Sequence, residues 1–248
     1  MRLLLFGCTG FVGRELLPLL LSGGHQLTVV SRRLARGYEA ERLDGRLVWL
    51  QLDPSSATSW QDQALLEALQ QADAVVNLAG EPIAEKRWTP AHMQVLEASR
   101  LQTTTLLVKA IAACSQPPAV LVNASAIGFY GSSLDGRFVE SSPAGHDFLA
   151  SLCERWEAAA AAVPAGVRQL TLRIGIVLAA DGGALGKMLP VFRTGFGGPI
   201  GSGRQWMSWI HRTDLCGLIL RGLEDSSWSG VLNAVAPEPI SMAMFSKA

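Results

Sequence analysis

Residues 3–13 read LLLFGCTGFVG, and the fold turns on what this stretch is. Leu-Phe-Gly-Cys behind an apolar run looks like a bacterial lipoprotein cleavage site, which would send the chain to a membrane. Gly7-x-x-Gly10-x-x-Gly13 looks like a loop that cradles a dinucleotide, which would keep the chain in the cytoplasm with a cofactor. Length separates the two. An export segment needs an apolar core of about 7–15 residues behind a basic start, whereas only residues 3–6 lie between Arg2 and Gly7. So short a run suits a buried parallel strand, which rises about 3.3 Å per residue.

Residues 11–21 carry a helical pattern closed by Ser22-Gly23-Gly24, so the glycines fall where a strand turns into a helix. A pyrophosphate needs backbone close to it and free N–H groups at a helix N-terminus. Glycine permits that turn and that approach. The spacing alone is a weak signal; a strand before it and a helix after it make it specific. Gly7, Thr9, Gly10, Phe11, Val12 and Gly13 are therefore the expected phosphate-loop residues, with Cys8 among them.

Further strands are expected at 26–30, 47–50, 74–78, 120–123 and 170–176, and helices at 60–71, 90–113 and 148–162. This alternation implies an α/β fold, a doubly wound parallel sheet with helices on both faces. Residues 1–178 are expected to form the cofactor-binding domain. Residues 179–248, where glycine-rich stretches break the rhythm, are expected to form a smaller substrate-facing region. Residues 241–248 read as the first turns of a helix that stops early, as in a truncated protein.

Composition narrows the classes. Twenty-one Lys and Arg balance twenty-one Asp and Glu, so neither a nucleic-acid footprint nor a polybasic membrane patch is expected. No run approaches the roughly 18 apolar residues of a membrane helix. Cys8, Cys114, Cys153 and Cys216 lack CxxC spacing, which argues against a metal site and a disulfide framework and suits a reducing compartment, the cytoplasm. Three of the four read as small buried hydrophobes; Cys8 is left open because of its loop.

The end of the second strand tests the cofactor's ribose. An NAD site places a carboxylate there. Here the sequence is Ser31-Arg32-Arg33, with two guanidiniums suited to a 2′-phosphate, so NADP(H) is expected. Asp53 either meets the adenine amino group or is a turn residue before Pro54. Leu78, Ala79 and Gly80 follow the fourth strand and complete the cofactor side, with Asn77 and Ala79 lining the adenosine ribose through backbone contacts.

GCTGFVG, NLAGEPI (77–83) and SAIGFYG (125–131) resemble the extended short-chain dehydrogenase/reductases, whose nucleotide-binding domain is Rossmann-like. EPIAEKRWT, FLASLCERWE and DGGALGKMLPVFRTGFGGPIGSGRQWMSWIH resemble one atypical branch, the nucleoside-diphosphate-sugar epimerase or cell-division-inhibitor-like proteins. The resemblance implies NADP(H) binding and a further small C-terminal domain. It also exposes a gap. The superfamily uses a Tyr and a Lys four residues later; the matching positions here are Phe148 and Leu152, which neither transfer a proton nor carry charge. Ser125 matches the superfamily's serine.

With that pair absent, Ser125 and Tyr130 are the catalytic candidates, Tyr130 standing also as a wall residue. Glu81, Lys86, Arg173, Lys187, Arg204 and His211 are the substrate-binding candidates. Arg173 reads as a phosphate clamp or as half of an ion pair, and Asp214 as the cap of the helix that follows it. Two functions are expected to compete. One is an oxidoreductase or epimerase acting on a nucleotide-sugar or other small phosphorylated molecule. The other is a non-catalytic NADP(H)-binding regulator or redox sensor. A small-molecule partner and a homodimer are expected.

Overall fold

Strand β1 (Arg2–Phe6) is apolar at every interior position and buries both of its faces. Leu3 and Leu5 enter one core layer, Leu4 and Phe6 the other, because successive side chains of a strand point to opposite sides. Such a strand belongs in the middle of a parallel sheet. The computed structural model, which describes residues 1–34 and 37–247, places it there.

Helix α1 (Gly13–Ser22), β2 (Gln26–Ser31), α2 (Glu39–Leu43) and β3 (Leu47–Gln51) build outward on one side of β1. A 3-10 turn (Ala57–Gln61) and α3 (Gln63–Gln71) return the chain to β4 (Ala74–Asn77) on the other side. The single helix expected at 60–71 is divided there because Asp62 caps α3, its carboxylate accepting from the Leu65 N–H at 3.0 Å. Helix α4 (Pro90–Ala113), β5 (Val120–Ala126), a 3-10 turn (Ile127–Tyr130), α5 (Phe148–Ala161) and β6 (Arg168–Ile174) continue outward.

The strand expected over 170–176 breaks at Gly175, where a Cβ would lie 2.7 Å from the Ser208 carbonyl oxygen. The chain leaves the main sheet as β7 (Ile176–Ala179), then forms α6 (Gly183–Arg193), β8 (Trp206–Met207) and β9 (Trp209–His211). It returns as α7 (Arg212–Glu224) and β10 (Gly230–Ala234), and ends with β11 (Ile240–Ser241) and α8 (Met242–Phe245). Strand β7 pairs with β9 and β8 with β11 in two small sheets.

The main sheet has seven parallel strands in the order β3-β2-β1-β4-β5-β6-β10. Helix α7 packs on α1, and β10 is the sheet's edge strand. The order reverses between β1 and β4, and open α/β sheets bind ligands at the carboxyl ends beside such a switch. Among the described residues no helix is long and apolar enough to cross a membrane.

Candidate functional site

The glycine loop occupies that switch point, and each of its glycines has a distinct reason. Gly7 has φ +74°, and a Cβ there would lie 2.4 Å from the Leu78 carbonyl carbon, so the loop presses against the turn after β4. A Cβ on Gly13 would lie 1.9 Å from the Cys8 carbonyl oxygen, so the first turn of α1 sits directly on the loop. Gly10 differs: a Cβ there would meet only the Gly7 carbonyl oxygen, at 3.6 Å, and the residue is exposed. Two glycines close the turn, and the third leaves backbone open beside a helix whose first turn has no side-chain cap. This shape suits a pyrophosphate. Thr9 is exposed beside Gly10, while Val12 turns inward and accepts from the Cys216 thiol at 3.8 Å.

Cys8 faces away from the opening. It is fully buried, donates to the Phe6 carbonyl at 3.7 Å, and burial, with Cys216 nearby, pushes its thiol up to about 12. It is a core residue like Cys153 and Cys216, with Cys114 half-buried against the core, and no reactive thiol lies in the loop.

At the end of β2, Ser31 is buried and already engaged: it donates to the Arg33 carbonyl at 2.6 Å and accepts from Trp49 Nε1 at 2.7 Å. It braces the turn that presents Arg32 and Arg33, both exposed. Asp53 forms the turn before Pro54, one oxygen accepting from the Ser55 N–H and hydroxyl at 3.0 and 2.7 Å. Asn77 is wholly buried. It donates to Thr104 Oγ1 and Asn123 Oδ1 and accepts from the Ala79 N–H, so its side chain braces the Leu78-Ala79-Gly80 turn from within the fold. Gly80 is exposed, with the Arg100 guanidinium packed beneath it.

Glu81, expected among the substrate-binding residues, turns toward the end of β2. Its carboxylate lies 3.5 Å from the Arg32 guanidinium and 3.4 Å from Lys86 Nζ.

Over β5, β6 and β10 a second polar assembly forms, and sequence reading missed half of it. Ser125 Oγ donates to Glu157 Oε1 at 2.5 Å. Arg173 grips the same carboxylate with two donors, Nε at 2.9 Å and an Nη at 2.8 Å, and its other Nη reaches Tyr130 Oη at 2.9 Å and the Glu140 carbonyl at 3.0 Å. Tyr130 Oη donates to Asn233 Oδ1 at 2.6 Å, and the Asn233 N–H donates to Glu140 Oε1 at 2.8 Å. The Arg173 guanidinium also lies 3.4 Å from the Phe129 ring centroid. Arg173 is 4% exposed and Glu157 12%. Arg173 is therefore half of an ion pair, with its donors taken up, rather than an open phosphate clamp. Glu157 ends FLASLCERWE, about two and a half helical turns beyond Phe148; a carboxylate directly after the buried Trp156 was the available signal. Phe148 opens α5 with Trp88 edge-on to it at 5.7 Å, and Leu152 is buried.

A clamp joins the glycine loop to the stretch before α6. Arg212 donates to Glu15 at 2.7 Å, lies 2.9 Å from Asp181, and stands over the Phe11 ring at 4.7 Å. That ring rests on Gly182 and Gly183, whose Cβ atoms would meet it at 3.0 and 2.7 Å. Thr213 Oγ1 also donates to Glu15, and these two hydrogen bonds hold the Glu15 carboxyl below its usual range. His211 caps α7, its Nδ1 accepting from the Thr213 N–H at 3.3 Å, so Asp214 sits in the first turn instead of capping it. Lys187, Arg193, Arg204 and His211 are all exposed, and none makes an ion pair among the described residues. The same residues offer no cluster able to hold a metal ion.

Comparison with known proteins agrees with this layout. The profile of the NAD dependent epimerase/dehydratase family matches residues 3–233. The human epimerase family protein SDR39U1 is 41% identical over 250 residues, covering all of this chain and 78% of that protein. The chloroplastic SDR39U1 homologue of Arabidopsis thaliana is 39% identical over 241 residues, covering 95% of this chain and 66% of that protein. A crystal structure of human SDR39U1 with NADPH superposes with a TM-score of 0.84 at 40% identity, covering 99% of this chain and 77% of that one. The chain belongs to the NAD-dependent epimerase/dehydratase family, as an atypical extended short-chain dehydrogenase/reductase.

Proposed function

We propose that this protein is an NADP(H)-dependent oxidoreductase or epimerase acting on a small phosphate-bearing molecule of the nucleotide-linked kind. The observation that carries the proposal is the open backbone at Gly10 beside the uncapped start of α1, with Arg32 and Arg33 exposed at the end of the next strand. The N–H groups of residues 11–13 take the pyrophosphate and the two guanidiniums the 2′-phosphate. The human relative crystallised with NADPH supports the same cofactor. When bound, the nicotinamide supplies or accepts a hydride.

The chain's own part is to hold the substrate oxygen. Ser125 Oγ gives its hydrogen to Glu157 and so keeps lone pairs to accept from a substrate hydroxyl. Tyr130, with its hydroxyl both donating and accepting, shapes the wall beside Ser125. Lys86, Lys187, Arg204 and His211 are the exposed groups available to an anionic substrate. With four free thiols, the place of action is the cytoplasm.

The non-catalytic regulator is favoured by a specific observation: Phe148 and Leu152 stand where the proton-transferring pair would be, and Leu152 is buried. Calorimetric titration tests the cofactor. NADPH is expected to bind at least tenfold more tightly than NADH, about 1.4 kcal/mol. Failure of both to bind would sink the enzyme reading. A Phe148→Tyr, Leu152→Lys variant that stays silent across nucleotide-sugar substrates would favour the regulator.

A further inference from the structure

The placement of Glu81 points to a role in cofactor choice. We infer that Glu81 sets how strongly the protein prefers a phosphorylated adenosine ribose: its carboxylate holds Arg32 in the free protein and competes with the 2′-phosphate for it. This rests on the NADP(H) assignment above and deepens it.

The sequence after β2 offers no carboxylate to the ribose corner, yet the fold brings one there from the turn after β4. Glu81 is 13% exposed, whereas Arg32 and Lys86 are 67% and 64% exposed. Its backbone is fixed on α4: its N–H donates to Ser99 Oγ at 3.0 Å, and its carbonyl accepts from Arg100 at 3.0 Å. The contacts to Arg32 and Lys86 are long, 3.5 and 3.4 Å. The acid is thus anchored and the two cations are free to swing. When a phosphate draws Arg32 away, the carboxylate stays behind, well inside the roughly 8 Å over which charges act at physiological salt. It then opposes the phosphate and offers an acceptor to unphosphorylated ribose hydroxyls, the role an acidic residue plays in NAD sites. Two guanidiniums alone would discriminate more sharply than this arrangement does.

The test is titration of NADPH and NADH into wild type, Glu81→Gln, Arg32→Met and the double variant, with thermal melting to verify each fold. Glu81→Gln is expected to raise the NADPH-to-NADH affinity ratio about fivefold, and less at about 0.5 M salt, where screening shortens to a few ångströms. In the Arg32→Met background the same change should move the ratio less than in wild type, because the competition for Arg32 is gone and only the direct opposition to the phosphate remains. Should the amide variant misfold, Lys86→Met probes the balance from the other side, leaving Glu81 to Arg32 alone and lowering the ratio. A folded Glu81→Gln protein with the wild-type ratio, or with equal gains for both cofactors, overturns the inference while leaving NADP(H) binding intact. A wild type that binds neither cofactor overturns the NADP(H) reading, and this inference with it.

Discussion

The two halves of the sheet's carboxyl edge treat their polar groups in opposite ways. Over β1, β2 and β4 the groups are held open: Gly10 exposes backbone, α1 begins without a side-chain cap, and Arg32 and Arg33 reach into solvent. Over β5, β6 and β10 the groups satisfy one another, from Ser125 through Glu157, Arg173 and Tyr130 to Asn233. An open half is ready for a ligand of fixed chemistry. A closed half is stable without one and presents few contacts, chiefly the lone pairs of Ser125. Behind Ser125 stands a buried ion pair, Glu157 with Arg173.

The largest test breaks the closed half. Arg173→Met leaves the Glu157 carboxylate buried and uncompensated, and should cost about 3–5 kcal/mol in urea unfolding. The Glu157→Leu, Arg173→Met double variant should recover most of that; equal losses in both would mean the pair is not what stabilises this half. On the open half, Gly13→Ala should destabilise by about 3 kcal/mol, because its Cβ would meet the Cys8 carbonyl. Gly10→Ala sharpens the contrast. It should melt like wild type while NADPH affinity drops at least tenfold, about 1.4 kcal/mol; unaltered affinity would place the cofactor elsewhere. The smallest effect concerns the join between α1 and α7. Glu15 is held below its usual pKa of 4.5 by Thr213 and Arg212. Its contribution is complete above the unfolded-state value and is lost as pH falls through the lower folded one. Wild-type stability should therefore fall more steeply below pH 4.5 than that of Glu15→Gln, by under about 1 kcal/mol.

What was legible in the sequence was local. The glycine loop is defined within seven residues, and β4 and β5 each open with three apolar residues, so both declare themselves. The edge strand β10 is only half-buried and gave no apolar run. The pairing of Glu157 with Arg173 depends on how α5 crosses β6, and that of Tyr130 with Asn233 spans 103 positions. Glu81 shows the same limit: its loop was placed correctly at the sheet's carboxyl edge, but which half its carboxylate reaches is set by the anchors on α4.

The packing of α1 on α7 has a consequence for how the protein is made. Leu16, Leu17 and Leu20 share a core with Leu215, Cys216 and Ile219, and Arg212 meets Glu15 across 197 positions. Long separations of this kind delay closure, since the chain between must first be gathered. On the ribosome, Glu15 emerges 197 positions before Arg212, and the helix behind the phosphate loop keeps an uncovered apolar flank until 212–224 have followed. The motif that announces the fold is made long before the helix that covers it, and during that interval the nascent chain would need shielding from its neighbours.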